Sequence, residues 1–210
     1  ESLVTATATG ATYNSKDVRA ANTVNYTGVA LGGTGAGNYT LAASTAQGAG
    51  SIKAKQLNLA LTSGARFDKT YDGNANVTQT LTKGTNYSLT GFIGTEGDHL
   101  ALAAATGTYT AGKDAAVNKG VTFDGLSLTG TGAGNYTLDK TTLTGIGTIS
   151  PKQLNLALTS SARFDKTYDG TANVTQTLTK GTNYTLTNFV NGEGADIALA
   201  PVTGTYTDKN

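Results

Sequence analysis

Chemistry needs particular side chains at particular spacings, and this chain supplies few of them. His99 is its single imidazole, and there is no cysteine, methionine or tryptophan. Without cysteine, thiolate catalysis, disulfides and Cys-ligated metals are excluded. The chain repeats itself with a 97-residue offset, and the position matching His99 is Asp196. A Ser-His-Asp relay would therefore exist in one copy only, and a surface or loop histidine is the expected role. The recurrent acids are Asp68, Asp72 and Glu96, matched by Asp165, Asp169 and Glu193. Two carboxylates hydrolyse a glycosidic bond only when they flank a cleft with separated pKa values. Nothing in the pattern provides a cleft, and Asp72 stands where a carboxylate caps a turn. No catalytic residue is assigned, and no cofactor is implied.

Weaker chemical readings follow the same course. Glu96-Gly97-Asp98 offers two carboxylates to calcium, which wants several oxygens from one loop. Its counterpart reads Glu193-Gly194-Ala195-Asp196, and no Asp-x-Asp-x-Asp-Gly loop occurs, so no metal site is assigned. Lys69, Asn86 and Glu96 have the residue types of an internal isopeptide crosslink with its helper carboxylate. The glycines of Gly32–Gly37 lack the Lys-Ser/Thr ending of a phosphate loop and no helix follows, so they read as a loop between strands. Asn-x-Ser/Thr sequons stand at Asn25, Asn38, Asn76, Asn86, Asn135, Asn173 and Asn183, which permits glycosylation without indicating it. Thr78, Thr80 and Thr82 would align hydroxyls along one strand face.

What organises these residues is the repeat. Lys55-Gln56-Leu57-Asn58-Leu59-Ala60-Leu61 returns as Lys152 to Leu158, and Lys69-Thr70-Tyr71-Asp72-Gly73 returns as Lys166 to Gly170. Gly35-Ala36-Gly37-Asn38-Tyr39-Thr40-Leu41 returns as Gly132 to Leu138. The copies differ most over residues 91–105, aligned with 188–202. The expected division is residues 1–54 as the C-terminal half of one repeat, 55–151 as a complete repeat and 152–210 as the N-terminal half of the next. An alternative phasing has repeats at 1–97 and 98–194. A 97-residue period is too long for a solenoid coil and suits one small β-domain per repeat.

Within the repeat, Leu57, Leu59 and Leu61 alternate with polar or small residues, the period of a half-buried strand. Further strands are expected at 76–81, 87–92, 99–104, 107–110, 121–128, 136–138 and 146–149. Turn chemistry separates them at Tyr71-Asp72-Gly73-Asn74, Lys83-Gly84 and Gly130 to Asn135. No long stretch carries a 3.6-residue period. The composition agrees: charged residues are 14% of the chain against about 25% in ordinary soluble domains, and threonine and tyrosine suit a pleated surface. The fold class is therefore all-β, expected as serial small β-sandwich or β-grasp-like domains forming an elongated rod. Both junctions, 52–57 and 149–154, lack a flexible linker, so one strand is expected to run from each repeat into the next.

Three motifs in fixed order, Lys-Thr-Tyr-Asp-Gly, Gly-Ala-Gly-Asn-Tyr-Thr-Leu and Gly-Thr-Ile-Ser-Pro-Lys-Gln-Leu, tile the chain. This arrangement resembles the YDG-type repeats of large bacterial surface adhesins, among them filamentous-haemagglutinin-like exported proteins. The motif positions here are Tyr71, Asp72, Gly73, Tyr168, Asp169 and Gly170, with Asn38, Tyr39, Asn135 and Tyr136. The resemblance implies structural roles for these residues and brings no catalytic group. It implies a secreted, cell-surface module used in series as a non-catalytic stalk or spacer in adhesion or biofilm formation. Its partners are then adjacent repeats of the same chain, with a host or biofilm glycan or protein bound elsewhere in the full protein. The alternative function is an adhesive module that itself binds a glycan, a host protein or a neighbouring adhesin. A net charge of +1 without Lys/Arg clusters argues against nucleic acid, and the absence of an 18-residue apolar run argues against helical membrane insertion.

Overall fold

The computed structural model describes residues 3–190 and 192–207. The outermost residues of the first and last expected segments lie outside that range. The fold is all-β, as the alternating pattern predicts. In chain order the strands are β1 (Thr5–Thr7), β2 (Gly10–Tyr13), β3 (Thr23–Thr27), β4 (Ala30–Gly32), β5 (Thr45–Ala49), β6 (Lys55–Leu61), β7 (Lys69–Thr70) and β8 (Tyr87–Thr90). They continue as β9 (Leu100–Leu102), β10 (Thr108–Tyr109), β11 (Ala116–Phe123), β12 (Leu128–Gly130), β13 (Tyr136–Leu138), β14 (Leu143–Ser150), β15 (Asn155–Leu158) and β16 (Tyr184–Thr187). Single 3-10 turns stand at Ala36–Asn38, Glu96–His99 and Ala133–Asn135.

The chain divides into two compact units, neither of them continuous in sequence. The first comprises Glu1–Ala65, Gln79–Gly107 and Thr122–Gly145. It contains the sheets β1-β4, β2-β3-β5, β9-β12 and β13-β6-β8. In the last of these β13 runs parallel to β6, with Tyr136 opposite Lys55, and β8 runs antiparallel, with Leu89 opposite Leu59. Leu57 and Leu59 turn inward and are 0% and 1% exposed. The second unit comprises Arg66–Thr78, Thr108–Val121 and Ile146–Asn210. It holds β15-β16, with β7, β10 and most of β11 and β14 of the sheet β10-β11-β14-β7. Here β14 runs parallel to β7, with Ile149 opposite Lys69. Phe67, Tyr109, Val121 and Ile149 form the core beside it, each at most 1% exposed. Burying a side chain of this size stabilises by about 1.5–3 kcal/mol.

Three expectations need correction. Residues 121–128 are not one strand, since β11 ends at Phe123 and β12 begins at Leu128. Residues 76–81 do not form a strand: Asn76 makes an isolated bridge to Thr108, and Val77 is buried from an irregular segment. The turn before it commits its backbone to local bonds, which competes with a ladder. Nor does a strand run through the junctions. Residues 151–154 separate β14 from β15, beginning at Pro151, which has no N–H to donate.

Candidate functional site

The repeated Lys-Thr-Tyr-Asp-Gly motif builds a lysine clamp. β7 delivers Lys69 inward, and the chain then turns at Gly73, whose φ of +84° lies in the left-handed region that favours glycine. The carboxylate oxygen Oδ1 of Asp72 accepts the N–H of Asn74 at 3.1 Å, and the side-chain oxygen of Asn74 accepts the N–H of Asn76 at 2.9 Å. These two local caps curl the segment around the lysine. Its Nζ donates to Asp72 Oδ1 at 2.6 Å, to the Asn74 and Asn76 carbonyls at 2.9 and 2.8 Å, and to Asn74 Oδ1 at 3.1 Å. The ring of Tyr109 lies 5.6 Å from the same ammonium. The Lys69 side chain is only 3% exposed.

A buried ammonium is costly unless paired and hydrogen-bonded, and here it has both. Burial pushes the Asp72 carboxyl up, but the bond from Lys69, the Asn74 N–H and the lysine charge outweigh it and hold the group below its ordinary value. Burial also raises the Tyr109 hydroxyl, helped by the Asp68 and Asp72 charges. That hydroxyl stays protonated and donates to the Phe67 carbonyl.

The second copy repeats the device with one changed part. Lys166 Nζ donates to Asp169 Oδ1 at 2.7 Å, to the Thr171 carbonyl at 2.8 Å and to Thr171 Oγ1 at 3.1 Å, and sits 5.6 Å from the Tyr206 ring. The threonine hydroxyl thus replaces the Asn74 amide oxygen. The bond from Lys166, then those from the Thr171 N–H and hydroxyl, lower the Asp169 carboxyl to about 2. Of each Tyr-Asp-Gly triplet, then, the aspartate holds the lysine and the glycine makes the turn. The two tyrosines differ: Tyr168 faces outward at 76% exposed, whereas Tyr71 is half-buried.

A further clamp, at a position the sequence marks only as a turn, surrounds Lys83. Its ammonium donates to the carbonyls of Gly97 and Leu100 and lies 5.0 Å from the Phe92 ring. Lys180 makes the same contacts with Gly194, Ile197 and Phe189. Their identity at the 97-residue offset was the available signal. Asp139, also unmarked, accepts the Leu59 N–H at 2.8 Å.

The second motif behaves differently in its two copies. Asn135 Nδ2 donates to Asp17 Oδ1 at 2.8 Å, while its Oδ1 accepts the Val18 N–H at 2.9 Å. Tyr136 is 5% exposed and donates to Glu96 at 2.5 Å. Asn38 ends an exposed 3-10 turn, and Tyr39 is 64% exposed.

The remaining candidates separate. Asn86 Oδ1 caps the Thr82 N–H at 2.8 Å, Glu96 binds Tyr136 and Lys69 binds Asp72, so the three isopeptide candidates each have another partner. An ionised Asp72 beside a charged lysine is an ion pair, not a poised amide bond. His99 is exposed at the end of a 3-10 turn. Among the described residues no group of three or more His, Cys, Asp or Glu is placed to hold a metal, and no helix is long and apolar enough to cross a membrane.

Residues 1–47 and 53–143 match the YDG domain family. No match was found among curated proteins or among solved structures. The chain belongs to the YDG domain family.

Proposed function

We propose that this YDG-domain chain is a non-catalytic spacer. It is a run of repeats that extends a distal binding region of a bacterial cell-surface adhesin away from the cell. The observation that carries this reading is the use made of the repeated motif. Lys69 and Lys166 spend their ammonium protons on Asp72 or Asp169 and on neighbouring oxygens, and Gly73 and Gly170 set the turns. An ammonium so engaged is neither a free nucleophile nor a base, and the motif serves to hold its own loop. The phasing with a repeat at 55–151 accords with the parallel pairings of β13 with β6 and β14 with β7, which join the two ends of that segment. Export to the cell surface belongs to the same proposal.

The alternative, an adhesive repeat, is favoured by one feature. On the paired strands β2 and β3, Tyr13 and Tyr26 are 45% and 39% exposed and share a sheet face. Deleting or duplicating one 97-residue repeat in the full-length protein separates the readings. A spacer keeps its binding specificity and changes only its reach. Loss of binding to the same ligand on deletion overturns the spacer reading in favour of the adhesive one.

A further inference from the structure

Lys16 and Lys113 are equivalent positions, as are Glu96 and Glu193, and in both cases the lysine precedes the glutamate by 80 residues. In the second unit this spacing closes into a contact. Lys113 Nζ donates to Glu193 Oε1 at 3.2 Å and to the Tyr71 hydroxyl at 2.7 Å, and that hydroxyl donates in turn to Glu193. Lys113 also lies 5.1 Å from the Tyr71 ring. Beneath the triad, Ala115 and Pro151 share a cleft with Phe189, Val190 and Ile197. In the first unit the equivalent loop lies beside the equivalent region without the lysine–glutamate bond: Lys16 pairs with Asp17 at 3.5 Å, its side chain 81% exposed, and Glu96 is bonded by Tyr136. Lys16, Asp17 and Arg19 share a cleft with Glu96 and His99, and the Asn135 amide holds Asp17 and Val18 from the same side.

Each loop is stiffened from within, by different means. Asn14 donates to the Ala20 carbonyl and accepts the N–H groups of Asn22 and Thr23 at 3.1 Å. Lys119, 6% exposed, donates to the carbonyls of Ala111 and Asp114 at 3.2 and 2.6 Å. A preformed loop loses little entropy when it docks. The region it meets, 91–105 or 188–202, is where the copies diverge most, yet Phe92/Phe189 and Glu96/Glu193 are unchanged.

We infer that consecutive repeats are coupled by a recurring clasp. The loop at Lys16–Arg19 or Lys113–Ala115 of one repeat docks on the Glu96 or Glu193 region of the next, and the partner this surface fits is the neighbouring repeat. The inference rests on the spacer reading and its phasing. It gives the motif tyrosine a task distinct from those of its aspartate and glycine. Tyr71 is the hydroxyl through which lysine and glutamate meet. The bonds from Tyr71 and Lys113 hold the Glu193 carboxyl below its ordinary value, and those from Tyr71 and Glu193 raise the Lys113 ammonium. The pair is therefore fully charged at neutral pH.

The chain has no cysteine, so two introduced cysteines carry spin labels cleanly. Val117→Cys and Thr185→Cys are both exposed sites. The distance distribution between them in the full 210-residue chain is expected to be a single narrow peak. Lys113→Glu or Glu193→Lys should lose that peak, Tyr71→Phe should broaden it, and the Lys113→Glu/Glu193→Lys exchange should restore it. Circular dichroism of each variant checks that the strands remain. A broad distribution in the unaltered chain, or a peak as narrow in both charge reversals, overturns the clasp. Either result leaves the repeat-deletion test standing. Loss of adhesion on deletion beside a narrow, swap-rescued peak overturns the spacer and leaves the clasp.

Discussion

The same seven residues, Lys-Gln-Leu-Asn-Leu-Ala-Leu, occur twice, and the structure treats them differently. In β6 the leucines face a core, and Leu59 is 1% exposed between β13 and β8. In β15 the matching Leu156 is 56% exposed, and among the described residues the strand pairs with β16 alone. The lysine clamps follow suit: Lys69 is 3% exposed beside β14, Lys166 13%. Local sequence therefore writes the strand, the turn and the clamp, while burial comes from partners distant in the chain. Equal sequence with unequal burial predicts unequal energetics.

The largest difference is expected at the lysines. Lys69→Ala leaves the half-buried Asp72 and the Asn74 and Asn76 carbonyls without their shared cation and should lower the urea midpoint strongly. Lys166→Ala, in a wetter clamp, should shift the urea midpoint far less. Next come the leucines. Leu59→Ala should cost about 2–5 kcal/mol through lost contacts and a cavity, whereas Leu156→Ala should stay within about 0.5 kcal/mol. Equal shifts in urea denaturation would break the comparison.

The turns give a smaller contrast. Gly73 and Gly170 both hold positive φ, at +84° and +76°, and alanine there costs about 1–2 kcal/mol from backbone strain alone. At Gly73 the new Cβ would also stand 2.6 Å from Val190, while nothing lies within 4 Å at Gly170. Gly73→Ala should therefore lower the thermal midpoint more than Gly170→Ala.

The smallest effect is on acid stability, and it is shared by both copies. Asp72 and Asp169 have folded-state pKa values below those of the unfolded chain, Asp169 at about 2. Their contribution is complete above the unfolded value of about 4 and is lost as pH falls through the folded one. The urea midpoint should decline between about pH 4 and pH 2. Asp169→Asn should flatten the part of that decline due to the second copy. A decline unaltered by Asp169→Asn would remove the clamp as its cause.

Much of the fold is legible in the sequence. The alternation at Leu57 to Leu61 and the Asp-Gly turn at 72–73 rest on local physics, and both stand where that physics puts them. Residues 76–81 misled because their threonine-valine content favours a strand, while the Asn74 cap diverts their backbone. The clamp was half legible. Lys69 carries the residue type of a crosslink, but its true partner, Asp72, lies three positions away, where the local pattern announces only a turn cap. Lys83, Lys119 and Asp139 were unreadable because each binds backbone groups, which no side-chain pattern announces. Asn135 and Glu193 meet residues more than 100 positions earlier in the chain, at Asp17 and Tyr71, beyond any local period.

Small-angle X-ray scattering of this 210-residue chain tests the spacer account most directly. A compact single body of this length has a radius of gyration of about 17 Å. Repeats in series predict a value well above that, with a long maximum dimension. A value near 17 Å would mean that the repeats fold back on one another, and would contradict the account.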